Sequence, residues 1–288
     1  MKILVYGANG WIGSQFIELL SDVKYACGKA RVDNGNEVEN EILEYRPTHV
    51  ISFIGRTHGK IGDKVYSTID YLEQEGKLTE NIRDNLFAPL VLATICKKYN
   101  IHYTYLGTGC IFKYGEDPTY EFEEKSLPNF FGSSYSVVKG FTDRLMHLYD
   151  DDALNLRIRM PITGDENPRN FITKITTYEK ICSVSNSMTV LPELLPLVFD
   201  MMMHNITGTM NLTNPGTISH NEILDMYREL VDPSFEWQNF TEVEQRAILD
   251  SDRSNNCLDT RLLESLYPDI LGIKDAVRKC LMTYKTTE

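Results

Sequence analysis

The 288-residue sequence is poor in several features, and each shortage removes a class of function. No apolar run approaches the ~20 residues that cross a bilayer, which argues against a membrane-spanning chain or a membrane partner. The six cysteines, at 27, 96, 110, 182, 257 and 280, form no CxxC pair and no metal-like cluster with histidine. Neither a disulfide scaffold nor a bound metal is expected, and a reducing, cytoplasmic setting is. Positive charge is scarce: 29 Lys and Arg against 41 Asp and Glu leave a formal charge of -12. That excludes the basic face needed by nucleic acid or an anionic membrane, so an anionic ligand must meet a local basic pocket. A strand is expected from Lys2, at the start of MKILVYG, which leaves no room for a signal peptide.

What is present is the composition of a soluble protein with a sizeable core, 42% hydrophobic and 24% charged, in one large or two interleaved domains. ILVY (3 to 6) is a short apolar run ending in glycine, and WIGSQFIELL after it repeats Ile12, Phe16 and Leu19 at helical spacing. THVISFIG (48 to 55) and HYTYLGTG read as further buried strands. DNLFAPLVLATICKKY (84 to 99) and SYSVVKGFTDRLMHLY (134 to 149) read as helices, and LNLRIRMP (154 to 161) as a strand stopped by proline. The alternation predicts an α/β fold with a Rossmann-type doubly wound parallel sheet over residues 1–162. From about residue 163 the alternation fails and polar, loop-rich stretches take over. Residues 163–288 therefore read mainly as a smaller C-terminal substrate-binding domain, with some segments returning to the sheet.

Directly after the first strand stands GANGWIG, with Gly7, Gly10 and Gly13 enclosing Asn9, Trp11 and Ile12. Glycines there let the backbone approach a pyrophosphate, and the helix N-terminus behind them offers N–H groups and partial positive charge. The GxxGxxG spacing is that of extended short-chain dehydrogenases. After the second strand an acid would hold the ribose 2′-hydroxyl of NAD, but CGKARVDN presents Lys29 and Arg31 before Asp33. NADPH is the expected cofactor, with NADH as the alternative.

Tyr135 and Lys139 form a Tyr-x-x-x-Lys pair on one helix face, and the lysine charge would favour tyrosinate for proton transfer to a carbonyl oxygen. Tyr25 and Lys29 repeat the spacing by chance. Order along the chain selects Tyr135: glycine loop, a strand ending in Thr108, then the Tyr-x-x-x-Lys helix. In LGTGCIFKYG, positions 108 and 110 share one side of an extended segment, so a thiol, Cys110, joins Thr108 at the pocket. A reductase does not need it, and inert core packing is the plain alternative. Epimerisation beside a ketone does need an acid and a base on opposite faces of the carbon, and the Thr108 and Tyr135 hydroxyls would stabilise the enolate between the two steps. Cys110 is a candidate for one of these groups and Lys174, early in the second half, for the other. A solvated surface lysine is the alternative for Lys174.

GWIG, TGCIF, NFFGSSYS, RMPI, NPRNFITKI, NSMTV, ELLP, TNPG, SHNEIL and RSNN run nearly end to end in the order seen in one group of enzymes. The chain resembles the bifunctional UDP-4-keto-6-deoxyglucose 3,5-epimerase/4-reductases that make UDP-L-rhamnose. Monofunctional dTDP-4-keto-rhamnose reductases are similar in fold but usually have an acid where Gly109 stands and no cysteine at 110. GDP-fucose synthases are similar in carrying Ser-x-Cys at the Thr108 to Cys110 position. The resemblance implies that Cys110 is an epimerisation acid/base with Lys174 as its partner. It also implies a nucleotide-sugar substrate and a separate UDP-glucose 4,6-dehydratase as pathway partner. Asn85, Arg159, Arg169, Asn170 and Arg253 are candidates for substrate binding, against surface salt bridges or, for Asn85, support of the backbone as the alternatives. The sequence leaves the assembly open, a homodimer included. The rival readings are a monofunctional 4-keto-rhamnose reductase and a non-catalytic NADP-binding regulatory subunit of the same fold.

Overall fold

The structure, a computed structural model, describes residues 1–117 and 119–285. Six parallel strands make the central sheet: β1 (Lys2–Tyr6), β2 (Lys24–Cys27), β3 (His49–Ser52), β4 (His102–Thr108), β5 (Ala153–Ile158) and β6 (Gly208–Asn211). Their spatial order is β6-β5-β4-β3-β1-β2, with the chain reversing direction of travel between β1 and β3. Such a reversal leaves a crevice beyond the carboxyl ends of the strands, where ligands of doubly wound folds bind. The strands are short and almost wholly buried in β1, β3, β4 and β5; β1 reads as a continuous apolar run, while the other three bury polar residues such as His49, Thr104, Asn155 and Arg157 among the apolar ones.

Helices cover both faces. Against one face lie α1 (Trp11–Glu18) and, from the second half of the chain, α6 (Leu191–Met203), their Phe16, Leu194, Val198 and Met202 sharing a core with Ile3, Val5, Leu154 and Leu156. Against the other lie α2 (Gly35–Tyr45), α3 (Ala88–Lys98) and α4 (Ser134–Met146), packed on Leu4, Tyr6, Val50, Tyr103 and Tyr105. A third core belongs to residues beyond 160, where α5 (Phe171–Thr177), α7 (His220–Leu230) and α8 (Ile273–Met282) bring together Ile172, Ile223, Leu224 and Val277. No helix among the described residues is long and apolar enough to cross a membrane.

Two elements differ from the sequence expectation. The helix expected to begin at residue 84 starts at Leu78, runs to Ile82, widens into a π turn over Arg83–Phe87 and continues as α3. The strand expected to reach Pro161 ends at Ile158. After Met160, whose φ is +39°, Pro161–Ile162 form a separate short strand paired with Thr189–Val190. Proline is tolerated there because it stands first, where no ladder N–H is needed. The segments of the second half that return to the sheet lie in residues 191–211, as α6 and β6. Pro192 and Pro196, at the start and inside of α6, hide its helical pattern in the sequence.

Candidate functional site

The crevice is built from the glycine loop upward. Gly7 follows β1 with φ +76°, a left-handed conformation that favours glycine. A Cβ on Gly13 would stand 2.3 Å from the Gly7 carbonyl oxygen, so the third glycine is required for α1 to approach the loop. No acidic residue sits in the first turn of α1, leaving its N-terminal N–H groups suited to a pyrophosphate. Trp11 and Ile12 are half-buried against the core, while Asn9 is exposed at the turn.

At the end of β2 the backbone is held by one carboxylate. Glu41 accepts from the N–H of Lys29 at 2.7 Å, from that of Ala30 at 3.1 Å and from the Tyr6 hydroxyl at 2.8 Å. Lys29 and Arg31 thereby project outward. Arg31 pairs with Asp33 at 3.1 Å, and Arg83, from the π turn, reaches the same carboxylate at 4.0 Å. The basic edge expected for a 2′-phosphate is present with a third cation that sequence reasoning missed. Nothing in the local sequence of Arg83 marks it, because it arrives from an element 50 residues away from Asp33.

Thr108 ends β4, and its Oγ1 accepts from the Cys110 N–H at 3.1 Å. The cysteine carbonyl in turn accepts from Ser136 Oγ at 2.7 Å, hooking this turn onto the start of α4, where Ser133 caps the helix by accepting from the Ser136 N–H. The sequence-predicted trio of Thr108, Cys110 and Tyr135 is thus brought together: Thr108 and Tyr135 are buried, and Cys110 packs in one apolar cluster with Tyr135, Tyr71 and Leu72. Burial pushes the Tyr135 phenol well up, the Cys110 sulfur pushes it further, and a hydrogen bond with Thr108 opposes both. Lys139 lies one turn along the same face, buried, and its ammonium bonds to the Tyr105 hydroxyl of β4. Burial brings its pKa down to about 8, against the pull of Asp143 and Cys110. In this structure the ammonium is engaged by Tyr105, and burial opposes the ionised form of Tyr135 that the sequence reading expected the lysine charge to favour. The i,i+4 spacing fixed the shared face but not what the opposite strand presents to it.

The facing wall carries Lys174 on α5. Burial lowers its pKa, and the charges of Arg169 and Arg253 lower it further. Beside it His58, in the loop after β3, meets Arg169 at 2.8 Å. A guanidinium only donates, so His58 Nε2 is the acceptor and Nδ1 carries the proton. The ring stays neutral, with its pKa down to about 4 through burial and then the charges of Arg169, Arg56 and Lys174. Sequence reasoning missed His58 altogether. Arg253 reaches across to Asp70 at 2.6 Å in the 3-10 segment Ile69–Glu73, whose Tyr71 and Leu72 contact Tyr135 and whose Ile69 packs alongside Cys110. Asp70 therefore links the two walls.

Three expected substrate ligands are drawn into the protein. Arg159 is buried, and its five N–H groups go to Ser187 O, Gly109 O, Ser254 Oγ, Ser254 O and Asn186 Oδ1. Asn170 is the N-cap of α5, its oxygen accepting from Ile172 N and Thr163 N and its amide donating to Thr163 O and Asp165 O. Asn85 sits in the π turn, bonded to both backbone groups of Arg56 and to Asn81 Oδ1. All three shape backbone around the crevice, and every side-chain donor they have is used within the protein. Among the described residues no three His, Cys, Asp or Glu side chains converge as a metal site.

Comparison with known proteins places this geometry. Residues 3–175 match the NAD dependent epimerase/dehydratase family. A protein of Acanthamoeba polyphaga mimivirus is 54% identical over 290 residues, 99% of each chain. The crystal structure of the UDP-rhamnose synthase from that virus superposes with a TM-score of 0.94 at 54% identity, over 98% of this chain and 99% of the other. A bifunctional dTDP-4-dehydrorhamnose 3,5-epimerase/dTDP-4-dehydrorhamnose reductase of Arabidopsis thaliana is 40% identical over 285 residues, covering 96% of this chain and 91% of its own. With its parallel sheet, glycine loop and Thr-Tyr-Lys crevice, the chain belongs to the NAD dependent epimerase/dehydratase family.

Proposed function

We propose that the protein inverts C3 and C5 of UDP-4-keto-6-deoxy-D-glucose and then reduces C4 with NADPH, yielding UDP-L-rhamnose. The observation that carries this reading is the thiol of Cys110 packed with Tyr135 beside Thr108, together with Lys174, whose pKa is lowered by burial and by the charges of Arg169 and Arg253, the latter bonded to Asp70 in the segment that packs on Tyr135. The likeness to the mimivirus UDP-rhamnose synthase supports it.

In the epimerisation the hydroxyls of Thr108 and Tyr135 donate to the C4 oxygen and stabilise the enolate formed when a carbon-bound proton leaves. One of Cys110 and Lys174 removes that proton, its electron pair passing into the enolate, and the other returns a proton to the opposite face. Lowering of the Lys174 pKa raises the share of free amine able to act as base near neutral pH. Once both groups have exchanged protons with solvent and returned to their starting states, the same step at the second carbon completes the inversion. NADPH, when bound, would supply the hydride for C4. Tyr135 would give its proton to the C4 oxygen, burial opposing its ionised form, and Lys139 would hold the ribose and compensate the charge left behind. Lys29 and Arg31 would hold the 2′-phosphate. Arg169 meets the substrate diphosphate, and Arg253, held by Asp70, frames the sugar side of the pocket. The 4-keto substrate has to be supplied by a 4,6-dehydratase. Trifunctional Arabidopsis relatives combine that activity with the other two in one polypeptide, of which this chain matches 41%.

The test is to incubate the protein with NADPH and UDP-4-keto-6-deoxyglucose in deuterated water and identify the sugar. Rhamnose carrying deuterium at C3 and C5 is expected, with the dTDP substrate turned over less well. Oxidation of NADPH with no inversion would leave a reductase only, and no oxidation of NADPH with any epimer would leave a binding protein.

A further inference from the structure

We propose that Tyr105 is the positioning residue for Lys139, its hydroxyl accepting one N–H of the ammonium so that two remain for the ribose of the dinucleotide. This rests on the reading that Lys139 serves the cofactor. Tyr105 lies in β4 between Ser52 of β3 and Asn155 of β5, so its backbone is pinned on both sides and its side chain is buried. From there it reaches Lys139 with its hydroxyl, and the ammonium also stands 4.6 Å from the ring centroid. The phenol offers an oxygen and a negative ring face to the one cation of α4 that is turned inward.

The position answers an electrostatic need. Burial drives the Lys139 charge down, and the groups opposing it are few: Asp143 one turn on in the same helix and Cys110 in the turn after β4. Asp143 is shared with Arg157 of β5, which holds it through two bonds of 2.8 Å. From the helical segment packed on α4, Asn81 bonds the Ser134 hydroxyl and Asn85 offers its carbonyl oxygen to Thr142, so both elements meet through neutral groups. Glu73, from the 3-10 segment, accepts from the Ser134 N–H at the helix start. Tyr105 is thus the direct hydrogen-bond partner of the ammonium, and burial raises its own pKa so that it stays an uncharged phenol. Without that acceptor the charged form of Lys139 is harder to keep, and the lysine loses its proton at a lower pH.

The experiment follows NADPH affinity by nucleotide fluorescence from pH 6 to pH 10, in the protein and in Tyr105→Phe. In the unmodified protein affinity falls as Lys139 deprotonates above about pH 8. In Tyr105→Phe the same fall is expected to begin lower by roughly one pH unit or more, the worth of a hydrogen bond to a charged group. A merely structural tyrosine would weaken binding equally at every pH and leave the midpoint in place, and that result overturns the proposal. So does an affinity in the unmodified protein that is flat with pH. Should Tyr105→Phe fail to fold, judged by thermal unfolding, Tyr105→Met removes the hydroxyl with a flexible side chain that adapts to the same space. A shift in the same direction supports the proposal, and an unmoved midpoint overturns it. None of these readings requires turnover of a sugar, so they stand or fall separately from the epimerase and reductase reading.

Discussion

On the wall made by α4 each buried charge already meets its complement. Lys139 has Tyr105 and Asp143, Asp143 has Arg157, and the Ser136 hydroxyl fastens the Cys110 turn to the helix. On the wall made by α5 and the loop after β3, cations crowd one another instead. Arg169 and Lys174 form no ion pair with a carboxylate among the described residues, and their charges together hold His58 neutral. The first wall is complete without a ligand and suits a step that needs fixed geometry, proton delivery to C4. The second wall has unbalanced positive charge, which an incoming diphosphate would relieve and which meanwhile favours a free amine on Lys174.

Substitutions on and outside the two walls test this contrast at different points. The largest effect is expected on the complete wall: Tyr135→Phe should lower NADPH oxidation with ready-made 4-keto-rhamnose by roughly 100-fold to 10,000-fold. Stopped assays with that substrate check it, and near-normal rates would mean another group delivers the proton. On the cationic wall and the thiol facing it, Cys110→Ser or Lys174→Ala should slow inversion by about 100-fold or more while reduction of the already inverted sugar stays within a few-fold. Mass spectrometry of product made in deuterated water reads this directly, since the variants should lose label at C3, C5 or both. A Cys110→Ser protein with full labelling and normal yield would reduce the thiol to core packing.

A smaller change is expected outside both walls. Replacing Lys29 and Arg31 by alanine should cut the preference for NADPH over NADH by about tenfold, measured as the ratio of dissociation constants. The smallest effect is on stability. Lys139 has a folded pKa of about 8, below the ~10.4 of an unfolded lysine, so its burial penalty is fully present at pH 7 and relaxes as pH rises from 8 to 10.4. Lys139→Met should therefore raise the melting temperature by a few degrees at pH 7, and the gain should shrink above pH 8. A gain that is independent of pH would place its origin in packing.

Much of the complete wall was legible in the sequence because its signals are local. The glycine loop, the i to i+2 relation of Thr108 and Cys110, and the i,i+4 relation of Tyr135 and Lys139 each lie within a few residues. What escaped depends on which element faces which. Tyr105 meets Lys139 only once a strand lies under a helix, and His58 meets Arg169 across 111 positions of chain. Arg159 shows the same limit from the other side. A charged residue at the end of a strand reads as a ligand for phosphate, yet Ser187, Asn186 and Ser254 converge from distant loops and, with the Gly109 carbonyl, use every donor it has.

The placement of β6 beside β5 bears on how this protein can be dissected. Residues 208–211 close the edge of the sheet, and α6 covers the face that α1 leaves open, although both follow the loops that carry the Lys174 wall. A polypeptide cut at residue 162 would keep every glycine of the dinucleotide loop and the whole Tyr-x-x-x-Lys helix, yet present the normally buried β5 as a naked rim with its ladder groups ready to pair with a neighbour. The halves can be told apart by chemistry but not by scissors, and grafting a new sugar specificity onto this scaffold has to be done loop by loop.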